Sequence, residues 1–310
     1  MTVLDSAIVR LLPAVPRPVV RRIADRYIAG ETLDDAVAVV SRLNIEGKSA
    51  TIDVLGEEVR RPYEATDIVR AYHDVFEAIQ QHELDSNVSV KLTALGLKLG
   101  YKLCRRNLRT VVEHAAEVNN FVRIDMEDAT TTDDTLRLYR ELRESGLDNV
   151  GVVLQARLKR TPGDIAVLAD LRPNVRLCKG IYLESPTIAW TSFERIREAF
   201  VNCLELLVDT ASYIGIATHD EFLIAEAKRV ARERYEFQML LGVREQLGDE
   251  LVQSGERLKI YVPFGRQWYE YSLRRLHENP KIAGYIATDT LGRVFTRRKR
   301  SPERHSVSPT

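Results

Sequence analysis

Eight segments of this chain end on polar or charged side chains that could do chemistry together: Glu57, Lys91, Asp125, Gln155, Lys179, Thr218-His219, Gln238 and Tyr261. A single such residue is explained by a loop hydrogen bond. A set of them at matching positions is different, because buried charges are costly unless they pair or meet a ligand. Lys91 and Asp125 have opposite signs, so an ion pair and a ligand-binding role both stay open. His219 stands beside Asp220 at the head of a helix, where capping competes with catalysis. Asp125, Glu127 and Asp128 offer carboxylates, but the six histidines show no paired ligand spacing, so no metal site is expected. Lys91 and Lys179 at strand ends also admit a Schiff-base, aldolase-like chemistry.

Farther along runs GRQWYEYSLRRLHENP. Read as a helix, it puts Tyr271, Arg274, Arg275 and Glu278 on one face, three and four residues apart. The plain reading is a solvated face of Arg–Glu pairs. The functional reading is a forked receptor, since two adjacent guanidiniums match a carboxylate in a way that lysines do not.

These residues need elements to hold them. Runs rich in β-branched residues recur near 49–55, 87–93, 121–127, 150–156, 175–181, 213–218, 235–241 and 257–263. Several read as nearly continuous apolar runs, the pattern of parallel strands buried on both faces. Helical spacing separates them: Leu108, Val111, Val112, Ala115 and Val118 follow the second strand. Thr132-Asp133-Asp134 can cap the next helix and Gly146 can stop it. Thr161-Pro162 reads as a cap with proline in the first turn. The repeats predict the α/β class and a (β/α)8 TIM-type barrel, with chemistry at the C-terminal ends of the strands and apolar inner layers. A doubly wound sheet is the alternative, but no GxGxxG turn occurs. Residues 1–45 are expected as extra helices outside the barrel, 46–290 as the barrel with a final helix over its mouth, and 291–310 as a disordered basic tail.

Composition narrows the function. Across 310 residues, 45 Lys+Arg balance 45 Asp+Glu, so no cationic excess exists to neutralise the phosphates of a nucleic acid. Three cysteines without paired spacing argue against a disulfide framework and for a reducing cytoplasm. No run of 18 apolar residues suits a spanning helix.

The chain resembles the proline dehydrogenases, flavin-dependent (β/α)8 enzymes that also form one domain of bifunctional proline-utilisation proteins. The resemblance rests on DVLGE (53–57), SVKLTAL (89–95), RIDMED (123–128), VVLQARLKR (152–160), VRLCKGIY (175–182), ATHD (217–220), FQMLLG (237–242), IYVPFG (260–265) and RRLHEN (274–279), in that order. It implies FAD as cofactor and oxidation of L-proline to Δ1-pyrroline-5-carboxylate by hydride transfer from C5 to flavin N5. It further implies that Lys91, Arg274 and Arg275 bind the proline carboxylate. Leu177, Tyr182, Tyr261 and Tyr271 would wall the ring, and Asp125 would orient Lys91. Gln155, Arg176, Lys179, Gly180, Thr218, His219 and Glu278 would lie against the flavin, and Glu57 would be a gating carboxylate. Leu183 stands where many members have Trp, and Asp220 replaces a common Asn. The resemblance also implies a membrane quinone as electron acceptor, peripheral contact at the inner face of the membrane, and coupling to a separate pyrroline-5-carboxylate dehydrogenase. A non-catalytic amino-acid- or flavin-binding barrel and the Schiff-base barrel are the rival readings.

Overall fold

Eight strands alternate with helices along the chain, and the crossover order decides the architecture. The computed structural model describes residues 21, 26–56, 59–231, 233–269 and 271–272. They fall in two units, residues 24–268 and residues 1–23 with 269–310. In the second unit the described residues are Arg21, Tyr269, Tyr271 and Ser272, all helical.

The first unit opens with α1 (Leu33–Ile45) and β1 (Ser49–Val54), followed by α2 (Pro62–Gln81), β2 (Ser86–Val90), α3 (Tyr101–Glu117) and β3 (Val122–Ile124). Next come α4 (Thr132–Glu144), β4 (Val150–Gln155), α5 (Thr161–Leu168), β5 (Asn174–Cys178), α6 (Phe193–Thr210) and β6 (Tyr213–Ala217). The unit closes with α7 (Glu221–Val230), β7 (Tyr235–Leu240), α8 (Glu245–Gln253) and β8 (Leu258–Phe264). Each strand pairs in parallel with the next and β8 pairs with β1, so the sheet closes into a barrel. This is the TIM-type barrel expected from the sequence. The final helix expected over its mouth lies mostly outside the described residues.

Local chemistry sets the helix starts. Thr32 caps α1 through a reciprocal box with Asp35, whose carboxylate takes the Thr32 amide at 2.9 Å. The first turn of α4 carries Asp133 and Asp134, which suit the positive end of the helix dipole. Its cap position is Thr131, one residue earlier than the sequence suggests, and Gly146 follows its end at φ +88°. At α5 the cap position is Arg160, and Thr161 is not the cap: its hydroxyl donates to the Gln155 carbonyl at 2.6 Å.

Strand alternation then sorts side chains to two faces. Ile52, Val88, Ile124, Val152, Leu177, Ile216 and Val262 belong to the buried core shared with the helices. Fully buried Tyr72 of α2 joins that core and donates its hydroxyl to the Ser89 carbonyl at 2.7 Å. The inner face differs from expectation. In place of apolar layers it carries buried Thr51, Asp53, Asn87, Ser89, Arg123, Arg176, Glu236 and Gln238. These groups are hydrogen-bonded to one another, to backbone or, for Asp53, to Lys91, which is what makes their burial tolerable. Glycines make room for the largest: a Cβ on Gly151 would stand 2.4 Å from an Arg123 guanidinium nitrogen.

Candidate active site

β2 and β3 stop at Val90 and Ile124, so Lys91 and Asp125 stand one residue past the strand ends, on the inward phase. Both are buried, as are Tyr261 on β8 and Arg176 on β5. Lys91 Nζ lies 2.7 Å from Asp53 Oδ2 and donates to Tyr261 Oη at 2.8 Å. Tyr261 Oη donates in turn to Asp125 Oδ2 at 2.8 Å, and Arg176 Nη1 donates to Asp125 Oδ1 at 2.7 Å. The Lys91–Asp125 contact anticipated from the sequence is present at 3.6 Å, but Asp53 is the nearer carboxylate. Arg176 also stands 5.4 Å from the Tyr261 ring centroid, within cation–π range.

Asp53 sits inside a block quoted for the resemblance, yet the sequence reading gave it no part. Its signal was alternation: Thr51 and Asp53, Ser89 and Lys91, and Arg123 and Asp125 repeat at two-residue spacing, placing polar groups on one strand face.

A second cluster lies at the ends of β5 and β6. Lys179 Nζ is 2.6 Å from Asp220 Oδ2, and Arg197 grips the same carboxylate with two bonds of 2.8 and 2.6 Å. Burial works to raise the Asp220 carboxyl, but Arg197 and Lys179 win and hold it at about 2. Asp220 also caps α7, accepting the Phe222 amide, so the capping role belongs to it and not to His219. His219 Nε2 accepts the Leu240 amide at 3.0 Å, which fixes the neutral tautomer with its proton on Nδ1. Burial, with the Arg244 and Lys179 cations nearby, pushes His219 down to about 4. Thr218 is buried and its hydroxyl accepts the Asp220 amide at 3.1 Å.

Between the clusters, Gln155 donates through Nε2 to the Glu127 carbonyl at 2.7 Å. Its Oε1 is buried and has no hydrogen-bond partner among the described residues. Gly180 packs beside it at φ +93°, where a Cβ would come within 2.5 Å of that oxygen. The three acidic residues of RIDMED point to different partners: Asp125 to Arg176 and Tyr261, Glu127 to Thr93 at 3.0 Å, and Asp128 to Thr130 at 2.9 Å.

Leu177 is corrected by the strand phase. It is fully buried in the helix-facing core, paired in register with Leu154 and Ile216, while its neighbour Arg176 points inward. The barrel wall separates it from the cluster. Leu240 has the inward phase of Glu236 and Gln238 and pairs in register with Tyr261, so it is the leucine placed to line the mouth. Tyr182 is half-buried, and its carbonyl accepts from Arg157 at 2.6 Å. Glu57, Arg274, Arg275 and Glu278 lie outside the described residues, and Tyr271 belongs to the second unit.

The family model described as proline dehydrogenase matches residues 36–287, spanning the whole barrel. The chain belongs to the proline dehydrogenase family. Proline dehydrogenase 1 of Bacillus subtilis (strain 168) is 37% identical over 269 residues, covering 85% of this chain and 89% of the relative. Proline dehydrogenase of Deinococcus radiodurans is 35% identical over 279 residues, covering 87% and 90%. Among solved structures, proline utilization A from Bdellovibrio bacteriovorus, inactivated by N-propargylglycine, shares the fold with a TM-score of 0.75 at 24% identity. That match covers 87% of this chain and 36% of the larger one, so the chain spans about a third of that structure's length. Among the described residues, no helix of this family member is long and apolar enough to cross a membrane.

Proposed function

We propose that this chain oxidises L-proline to Δ1-pyrroline-5-carboxylate with FAD as the resident cofactor, and that a membrane quinone takes the electrons onward. The observation that carries this reading is the Lys91–Tyr261–Asp125–Arg176 network at the barrel mouth of a family member. Lys91 supplies a fixed ammonium for the substrate carboxylate, and the resemblance assigns Arg274 and Arg275 to the same carboxylate. Tyr261 presents its ring to the pyrrolidine, and its hydroxyl, bonded to Lys91 and Asp125, keeps that ring from turning away. Leu240 is placed to add to the apolar wall, and the resemblance assigns Tyr271 to the same role. Asp125 ties the substrate side to Arg176, so one carboxylate positions both faces of the site. Peripheral contact with the membrane and hand-over of product to a separate pyrroline-5-carboxylate dehydrogenase complete the proposed setting.

The residues present fit a flavin. The buried Gln155 Oε1 is an acceptor that an isoalloxazine N–H would satisfy, and Gly180 leaves space beside it. Arg176 and Lys179 bring positive charge that favours an anionic reduced ring, and His219 offers an Nδ1–H donor. When bound, the flavin supplies the acceptor for hydride at N5. A Schiff-base reading is disfavoured by geometry: the Lys91 and Lys179 amines are each committed to a carboxylate oxygen within 2.7 Å.

The test is the visible spectrum of the purified protein under anaerobic conditions, before and after L-proline. A flavin band that bleaches is the expected result. A flavin band that persists points to a binding-only barrel or another substrate, and a protein that stays colourless after FAD reconstitution removes the reading.

A further inference from the structure

Beneath the mouth network lies a carboxylate that none of these roles uses. Glu236, near the start of β7, is 6% exposed and lines a polar cavity of about 190 Å³ with Asn87, Arg123, Asn174, Tyr213 and Lys259. Its Oε1 accepts from Gln238 Nε2 at 2.7 Å and lies 3.3 Å from Lys259 Nζ, while Tyr213 donates to its Oε2 at 3.2 Å. Gln238 then accepts through Oε1 from Arg176 Nε. Arg176 spends its other nitrogens on Ser89 at 3.0 Å and Asp125 at 2.7 Å.

The direction of this chain of bonds is forced by chemistry. An ionised carboxylate only accepts and a guanidinium only donates, whereas a primary amide has one end of each kind. Gln238 between the two therefore has a single satisfactory orientation, its NH2 to Glu236 and its oxygen to Arg176. A flipped amide would set oxygen against oxygen below and N–H against N–H above. Gly215 of β6 keeps the space for it, since a Cβ there would stand 2.4 Å from Gln238 Nε2.

We propose that Glu236 is a positioning residue: through Gln238 it fixes the rotation of the Arg176 guanidinium, and through Arg176 the Asp125–Tyr261 pair at the mouth. Glu236 touches neither substrate nor cofactor, and the inference rests on the flavin-dependent proline oxidation proposed above. A glutamine at position 236 is neutral and can turn its own NH2 toward Gln238, so the amide would be held by Arg176 alone and no longer from below. A methionine at 238 removes the link at similar volume.

The experiment compares flavin-loaded wild type, Glu236→Gln, Gln238→Met and the double variant. Two quantities are read: the limiting rate of anaerobic flavin bleaching by L-proline, and the flavin midpoint potential. Each single variant is expected to lose about tenfold in limiting rate, which corresponds to about 1.4 kcal/mol of barrier. The proline concentration for half-saturation should move less, because Lys91 keeps its own ion pair with Asp53 at 2.7 Å. The double variant should be no slower than Gln238→Met, and the midpoint potential should shift in the same sense in all three. A Glu236→Gln variant with wild-type rate and potential, or two losses that multiply in the double variant, overturns the proposal. If Glu236→Gln does not fold, Gly215→Ala crowds the same amide without altering any charge. A comparable loss there supports the proposal, and wild-type behaviour overturns it. A wild type that holds flavin but does not bleach with proline refutes the substrate assignment, and the potentials still decide the role of Glu236. A chain that takes up no flavin overturns the functional reading and this inference with it.

Discussion

Replacing His219 with glutamine should remove most of one step in the acid sensitivity of this barrel. In the folded chain His219 titrates at about 4, against an ordinary value of 6.5, because it is buried near Arg244 and Lys179. Between those two values the unfolded chain takes up a proton that the folded chain refuses. The unfolded state is thus favoured as pH falls from 6.5 toward 4, and no contribution arises above 6.5. From pH 7.5 to 5.0 this linkage amounts to about 2 kcal/mol. Asp220 does not blur the window, since its carboxyl is held at about 2 against an ordinary 3.8 and loses its stabilising charge only below the range tested.

Glutamine suits the test because its side-chain oxygen can still accept the Leu240 amide that His219 Nε2 accepts at 3.0 Å. The assay is denaturant unfolding of wild type and His219→Gln without added flavin, at pH 7.5 and 5.0. Carboxylates common to both proteins cancel in the difference of differences. Wild type should lose about 2 kcal/mol more than the variant between the two pH values. Equal losses in the two proteins would refute the claim that burial and the neighbouring cations keep this imidazole neutral. A larger loss in the variant would mean that His219 gains a proton on folding, the opposite sign.

Other outcomes follow from the same geometry. Lys91→Met strips buried Asp53 of an ion-pair partner at 2.7 Å and should destabilise the chain by about 3–5 kcal/mol. Adding Asp53→Asn should restore much of that loss, which chemical denaturation of the single and double variants checks. Tyr261→Phe deletes the hydroxyl joining Lys91 to Asp125 while sparing the ring, and kcat/KM for L-proline should fall roughly tenfold or more. Steady-state kinetics would count against the network if the variant stayed within twofold of wild type. Gly180→Ala places a methyl group 2.5 Å from Gln155 Oε1 at a φ of +93°, so a loss of about 1–3 kcal/mol and weaker flavin retention are expected. Flavin content after gel filtration together with the thermal midpoint reads both effects.

How much of this was legible in the sequence depends on which physical rule each feature obeys. The strands and their order were legible because each carries an unbroken outward series, such as Ile52, Val88, Ile124 and Val152, that must be buried against helices. Lys91, Asp125, Gln155 and Tyr261 were legible as candidates because a parallel barrel gathers its strand ends at one mouth. Contact partners were harder. Asp53 reaches Lys91 across 38 positions of sequence, and Arg176 reaches Ser89 across 87, so only the closed sheet brings them together.

The inner face shows where proximity in sequence misleads. Leu177 lies between Arg176 and Cys178 in a block matched to the family, and the resemblance gave it a place in the pocket wall. A strand turns neighbours to opposite faces, so the residue beside an inward arginine is the one least able to join it. Phase within the strand selects Leu240 instead, two residues after Gln238 and level with Tyr261. The same rule exposes Arg123, Glu236 and Gln238 as one interior set, where a reading by hydrophobicity saw apolar runs. Their charges are affordable inside the barrel because each is committed to a named partner, Arg123 to Asn174 at 2.5 Å and Glu236 to Gln238 at 2.7 Å. A polar interior so fully bonded transmits orientation from the floor of the barrel to its mouth, which an apolar one would not.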